Sequence, residues 1–76
     1  MNQLLRSGSS GPPVKELQTV LNTIQHPVPA LVIDGLFGPK TYAAVVAFQR
    51  RALLTPDGIV GPKTSAALVS AALTMA

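Results

Sequence analysis

Three carboxylates, one imidazole and no thiol are the groups in this 76-residue chain best suited to acid–base, nucleophilic or metal chemistry: Glu16, Asp34, Asp57 and His26. Glycoside hydrolysis needs two carboxyl groups flanking one bond, and a catalytic zinc needs about three protein ligands. Neither set is present. Asp34 and Asp57 each precede a glycine. There a carboxylate accepts hydrogen bonds from backbone N–H groups a few residues on, and glycine reaches positive φ without strain. The turn already accounts for both acids. His26 follows a helical pattern and reads as a solvent-facing residue whose protonated form suits a helix C-terminus. The residues therefore predict no catalytic group, no metal site and no cofactor, so the chain is expected not to be an enzyme.

What remains is the chemistry of binding. Tyr42 stands one position past the inward-facing Thr41 and offers a ring and a hydroxyl to a sugar or peptide. Arg50 and Arg51 close a helical stretch, where the dipole favours cations and a guanidinium can grip a carboxylate with two parallel hydrogen bonds. The candidate ligand contacts are Asp34, Phe37, Thr41, Tyr42 and Arg50. Phe37 also reads, with Phe48, as core. Tyr42→Ala is expected to weaken binding with little loss of stability. Gln18, Asn22 and Gln49 fall at the edges of apolar faces. A buried amide must be hydrogen-bonded, and these are expected to tie helices to loop backbone. Asp34, Gly35, Gly38, Asp57, Gly58, Gly61, Gln18 and Gln49 form the predicted set of structural loop and cap residues.

The elements that position these groups are announced by a repeat. Asp34-Gly-Leu-Phe-Gly-Pro-Lys-Thr-Tyr-Ala-Ala-Val45 and Asp57-Gly-Ile-Val-Gly-Pro-Lys-Thr-Ser-Ala-Ala-Leu68 agree at eight of twelve positions, 23 residues apart. Gly11-Pro12 opens a third stretch in the same way. Proline fixes φ near the helical value at a first position where its missing N–H costs nothing. Helix one is expected from Pro12 or Pro13 to about Gln25, with Val14, Leu17, Leu21 and Ile24 inward. Pro27 and Pro29 end it. Helix two is expected from Pro39 to Leu53, with Thr41, Ala44, Val45, Phe48 and Ala52 on one face, and helix three from Pro62 to Leu73, with Ala67, Leu68, Ala71 and Ala72 inward. Residues 1–10 read as a lead-in whose Leu4 and Leu5 pack on the core. Leu31, Val32 and Ile33 form a short apolar run that reads as a tiny paired strand or a core plug, with the plug favoured. Leu36/Phe37 and Ile59/Val60 anchor the two loops. The fold class is all-α: a small three-helix bundle with two repeated Asp-Gly loop–helix units, in one domain over residues 1–76 with its core at about 4–73.

Composition sets the limits. Hydrophobic residues make up 47% and charged residues 12%, which excludes disorder. With no cysteine, the core works without disulfides. The net charge of +3 comes from six dispersed cations and is no nucleic-acid arm. The reading helices of a DNA binder need side chains that reach base edges, and Ala-Ala pairs do not. Residues 1–6 lack the apolar run of a signal peptide, and the apolar stretch from Ala66 to Ala76 is shorter than the roughly 20 residues that span a bilayer.

The ordered set Leu5-Arg-Ser-Gly-Ser-Ser-Gly11, Val14-Lys-Glu-Leu17-Gln18, Leu21-Asn22, Asp34-Gly-Leu-Phe-Gly38, Thr41, Ala44-Val45, Phe48-Gln49, Asp57-Gly58, Gly61 and Thr64 resembles the type 1 peptidoglycan-binding domain. The resemblance covers roughly residues 4 to 73. It implies non-catalytic binding of cell-wall peptidoglycan or a muropeptide by a monomer in the cell envelope or another extracytoplasmic place, with no nucleic acid or membrane as partner. Members of that family are usually joined to a catalytic domain, and a partner hydrolase is a further expectation. With no Trp, one Tyr and two Phe, a shallow groove near Asp34–Tyr42 is expected, not an aromatic platform. Its affinity is expected between about 10 μM and 1 mM, so that one site contributes about 4 kcal/mol at the weak end. The alternative is a protein-interaction or pro-domain-like module that docks a hydrolase or a secreted protein. The fold also resembles the pro-domain of matrix metalloproteases, which inhibits through a cysteine that is missing here.

Overall fold

Each glycine–proline step becomes a helix start. In the computed structural model, which describes residues 4–75, α1 spans Pro12–Gln25, α2 Pro39–Arg51 and α3 Pro62–Met75. Residues 1–3 and 76 of the expected domain lie outside the described residues. Gly11 and Gly38 stand at the N-caps of α1 and α2 without any side-chain cap. The aspartates therefore do not cap helices; they act earlier, in the loops. Helix α1 packs against both α2 and α3 and forms the middle of the bundle.

The apolar stripes meet as their spacing dictates. Val14, Leu17, Leu21 and Ile24 of α1 share a core with Ala44, Val45 and Phe48 of α2 and Leu68 of α3. Ala67, Ala71 and Ala72 pack against it, half-buried. Helix α2 stops two residues short of the expected Leu53. Leu53 N–H donates to the Arg50 carbonyl at 3.2 Å and Leu54 N–H to the Gln49 carbonyl at 2.8 Å, while Leu53 adopts φ 60. That is a Schellman ending, with leucine where glycine is usual. Helix α3 runs two residues past the expected Leu73.

The lead-in does more than place leucines. Leu5 and Val60 exchange backbone hydrogen bonds at 3.1 and 2.7 Å; Gly8 N–H donates to the Phe37 carbonyl, Phe37 N–H to that of Ser9, and Gly11 N–H to that of Gly35. The segment thus clasps both Asp-Gly loops. Among the described residues these contacts form two isolated antiparallel bridges, Leu5–Val60 and Ser10–Leu36, and no strand. The pairing sets which loop residue turns inward: Phe37 and Val60 are buried, while Leu36 is exposed. Two expectations are corrected. Leu4 is exposed, leaving Leu5 as the anchor. The plug reduces to Leu31, whose backbone N–H and carbonyl are both held by the Asn22 amide at 2.8 and 2.9 Å, while Val32 and Ile33 face solvent.

Candidate functional site

Two buried glutamines build the loops. Gln18 of α1 is 1% exposed. Its Nε2 donates to Asp34 Oδ1 at 3.0 Å, the Leu36 carbonyl at 3.0 Å and Thr41 Oγ1 at 3.2 Å, and its Oε1 accepts from Gly35 N–H at 3.0 Å. Gln49 of α2 is 0% exposed and repeats the pattern. Its Nε2 donates to Asp57 Oδ1, the Ile59 carbonyl and Thr64 Oγ1 at 3.0, 3.0 and 3.1 Å, and its Oε1 accepts from Gly58 N–H at 2.9 Å. An amide NH₂ has two hydrogens, so one is shared between acceptors. Each aspartate also accepts from the N–H two residues on, Leu36 or Ile59, at 2.9 Å. This is an Asx turn closed from behind by a helix. No buried side-chain polar atom among the described residues lacks a partner.

The carboxyl groups respond to this wiring. The Leu36 N–H, and after it the Gln18 amide, hold the Asp34 carboxyl below its ordinary value of 3.8. The Ile59 N–H does the same for Asp57, opposed by desolvation and helped by Gln49. Among the described residues the hydrogen bonds from Gln18 and Leu36 to Asp34 both fall on Oδ1, so Oδ2 can accept from an outside donor.

Outside the first loop lies an open cleft of about 470 Å³. Asp34 and Lys40 supply its charges, Val32, Leu36 and Pro39 its apolar wall, and Gln18 and Thr41 its floor. The structure brings Asp34 and Thr41 of the sequence-predicted contacts together here. Thr41 is buried, with its hydroxyl accepting from Gln18. Phe37 is 3% exposed and serves the core, so it supports the loop from within and is not a contact surface. Tyr42 does not line this cleft: a Cβ at Gly58 would stand 2.1 Å from Tyr42 Cε2, so the ring lies flat against the second loop. Arg50 sits eight residues further along α2, about 12 Å of helical rise from Tyr42, and does not line it either. Arg51 donates instead to Gln25 Oε1. His26 is exposed at the left-handed C-cap of α1.

Sequence reasoning missed Lys40, Leu36, Val32 and Pro39 as lining residues. One signal was present: the Gly-Pro-Lys-Thr tetrad occurs in both repeats, and in neither does its lysine make a hydrogen bond or ion pair among the described residues. Among the described residues no group of three or more His, Cys, Asp or Glu side chains is placed to hold a metal ion, and no helix is long and apolar enough to cross a membrane.

Comparison with known proteins agrees with this architecture. The model of the peptidoglycan binding domain family matches residues 10–68. The N-terminal domain of SleB is similar over 95% of this chain and 96% of its own, with 39% identity and a TM-score of 0.84. A fused Zn-dependent amidase/peptidase/peptidoglycan-binding domain-containing protein from Clostridium acetobutylicum is 36% identical over 90% of this chain, with a TM-score of 0.77. A peptidoglycan-binding protein from Clostridioides difficile, solved in complex with glutamine hydroxamate, is 42% identical over 88%, with a TM-score of 0.80. The chain spans 29% and 40% of the length of the latter two. No curated protein matches it.

Proposed function

The chain belongs to the peptidoglycan binding domain family, and from that premise we propose that it holds its ligand in the cleft between Asp34 and Thr41. Non-catalytic binding of bacterial cell-wall peptidoglycan is the function of the module. The stem peptides of that polymer carry methyl groups, carboxylates and amino groups. Lys40 suits a carboxylate, Asp34 Oδ2 suits an N–H donor, and Leu36, Val32 and Pro39 suit methyl groups. The observation that carries the assignment is the exposed apolar wall beside Lys40, which has no hydrogen bond or ion pair among the described residues, and beside Asp34, whose bonds from Gln18 and Leu36 both fall on Oδ1. Phe37 and Thr41 hold the loop in place for it, and Tyr42 and Arg50 flank it at a distance.

The chain itself catalyses nothing in this reading. It acts as a monomer outside the cytoplasm and keeps a hydrolase, fused or separate, near the wall. The fused amidase/peptidase relative supports the last element. Sedimentation with purified sacculi tests the assignment. The protein pellets with the wall, and Leu36→Ala with Lys40→Ala leaves most of it in the supernatant without changing its melting temperature. Retention no greater than that of an unrelated protein of equal size and charge overturns the reading. The docking alternative predicts that outcome together with a stable complex with a hydrolase.

A further inference from the structure

The second loop carries its own cleft, of about 380 Å³. All eight of its lining residues, from Leu54 to Thr64, stand 23 positions after residues that line the first. Asp57 takes the place of Asp34, Ile59 that of Leu36, and Lys63 that of Lys40. Fold requirements explain part of this. Asp57, Gly58 and Thr64 are all bound to Gln49, as their counterparts are to Gln18. They do not explain the lysines. Lys40 and Lys63 are exposed and make no hydrogen bond or ion pair among the described residues, yet the same cation recurs at the same corner of both clefts. Two positions that line neither cleft differ between the repeats, Phe37 against Val60 and Tyr42 against Ser65.

We propose that the domain is bivalent, with the cleft at Asp57, Ile59 and Lys63 binding a second peptidoglycan stem peptide; this rests on the assignment of the first cleft. Among the described residues the bonds from Gln49 and Ile59 to Asp57 likewise fall on Oδ1, so Oδ2 can accept as in Asp34. Thr55 replaces Val32 and makes the wall more polar, so the second cleft is the weaker. The longest dimension of the molecule is 25 Å, which keeps both sites within reach of one meshwork. Two weak sites on one rigid body raise apparent affinity for a polymer by about 10²–10⁴ over either alone when both engage.

Nuclear magnetic resonance titration of the full chain with a soluble disaccharide–tetrapeptide, up to 10 mM at roughly ten times the weakest expected dissociation constant, separates the cases. Two sets of amide shifts are expected, one at Gly35–Lys40 and one at Gly58–Lys63, fitting two molecules per chain. Lys40→Ala abolishes the first set and Lys63→Ala the second. Each single variant then loses at least tenfold in sacculus retention. One bound molecule, with Lys63→Ala indistinguishable from the parent chain, overturns the second site and leaves the first standing. No shifts and no sacculus retention overturn both.

Discussion

At the residue scale, two side chains in uncommon settings give the sharpest expectations. Leu53 is 92% exposed at φ 60, so its side chain contributes nothing to the core while its backbone bears left-handed strain. Leu53→Gly should therefore stabilise the domain by about 1 kcal/mol. In a domain of this size that raises the melting temperature by roughly 4–8 °C; a lower melting temperature would refute the strain. Gly58 is the opposite case. At φ 75 and with the Tyr42 ring where a Cβ would go, Gly58→Ala should cost about 2 kcal/mol or more. Because part of that cost is the clash, Tyr42→Ala should relieve it, and a thermodynamic cycle on the pair should show positive coupling. Strict additivity would mean the ring is not seated on the loop. The same seating revises the expectation for Tyr42→Ala, which now predicts a measurable loss of stability.

At the scale of elements, each Asp-Gly loop is held by an amide reaching out of the preceding helix. Gln49→Leu keeps the volume but strands the Gly58 N–H and the Thr64 hydroxyl away from their partner. Leaving buried polar groups unpaired costs about 1–3 kcal/mol each, so the loss should exceed that of any exposed polar substitution on α2. Chemical denaturation with an unchanged midpoint would refute the network. The aspartates add a pH signature. Each folded carboxyl titrates below its unfolded value of 3.8. The stabilisation is thus fully present above that value and is lost as pH falls through the folded one. Melting temperature should drop below about pH 4, and Asp34→Asn with Asp57→Asn should flatten the drop. An equally steep fall in the double variant would assign the acid transition to other groups.

For the whole molecule, the lead-in is the feature that matters most. It joins Leu5 to Val60 of one loop and Gly8, Ser9 and Gly11 to the other, so neither loop–helix unit is closed without it. The domain should accordingly unfold in a single transition, with calorimetric and van't Hoff enthalpies equal. Deleting residues 1–8 should uncover Phe37 and Val60 and abolish that transition. Two separable transitions in the parent chain would show the repeats to be independent.

How much of this was legible follows from distance along the chain. The three helices were, because Gly-Pro starts, proline stops and apolar residues at helical spacing are local signals. The Asp-Gly loops were too, because a turn is made by adjacent residues. Asp34 and Thr41, near each other in the repeat, line the proposed cleft together, whereas Arg50 was grouped with them by chemistry alone and lies a helix length away. The Schellman end at Leu53 went unread because leucine seldom occupies a left-handed position. The sequence by itself determined the helices, the duplicated loop and the family they resemble. Only the tertiary structure decided that Gln18 and Gln49 do the same work from unequal distances, 16 and 8 residues before their aspartates, that Tyr42 covers Gly58, and that two lysines crown twin clefts. Those facts depend on which helix face meets which loop, and that is set by packing across the bundle, to which spacing along a single helix is blind.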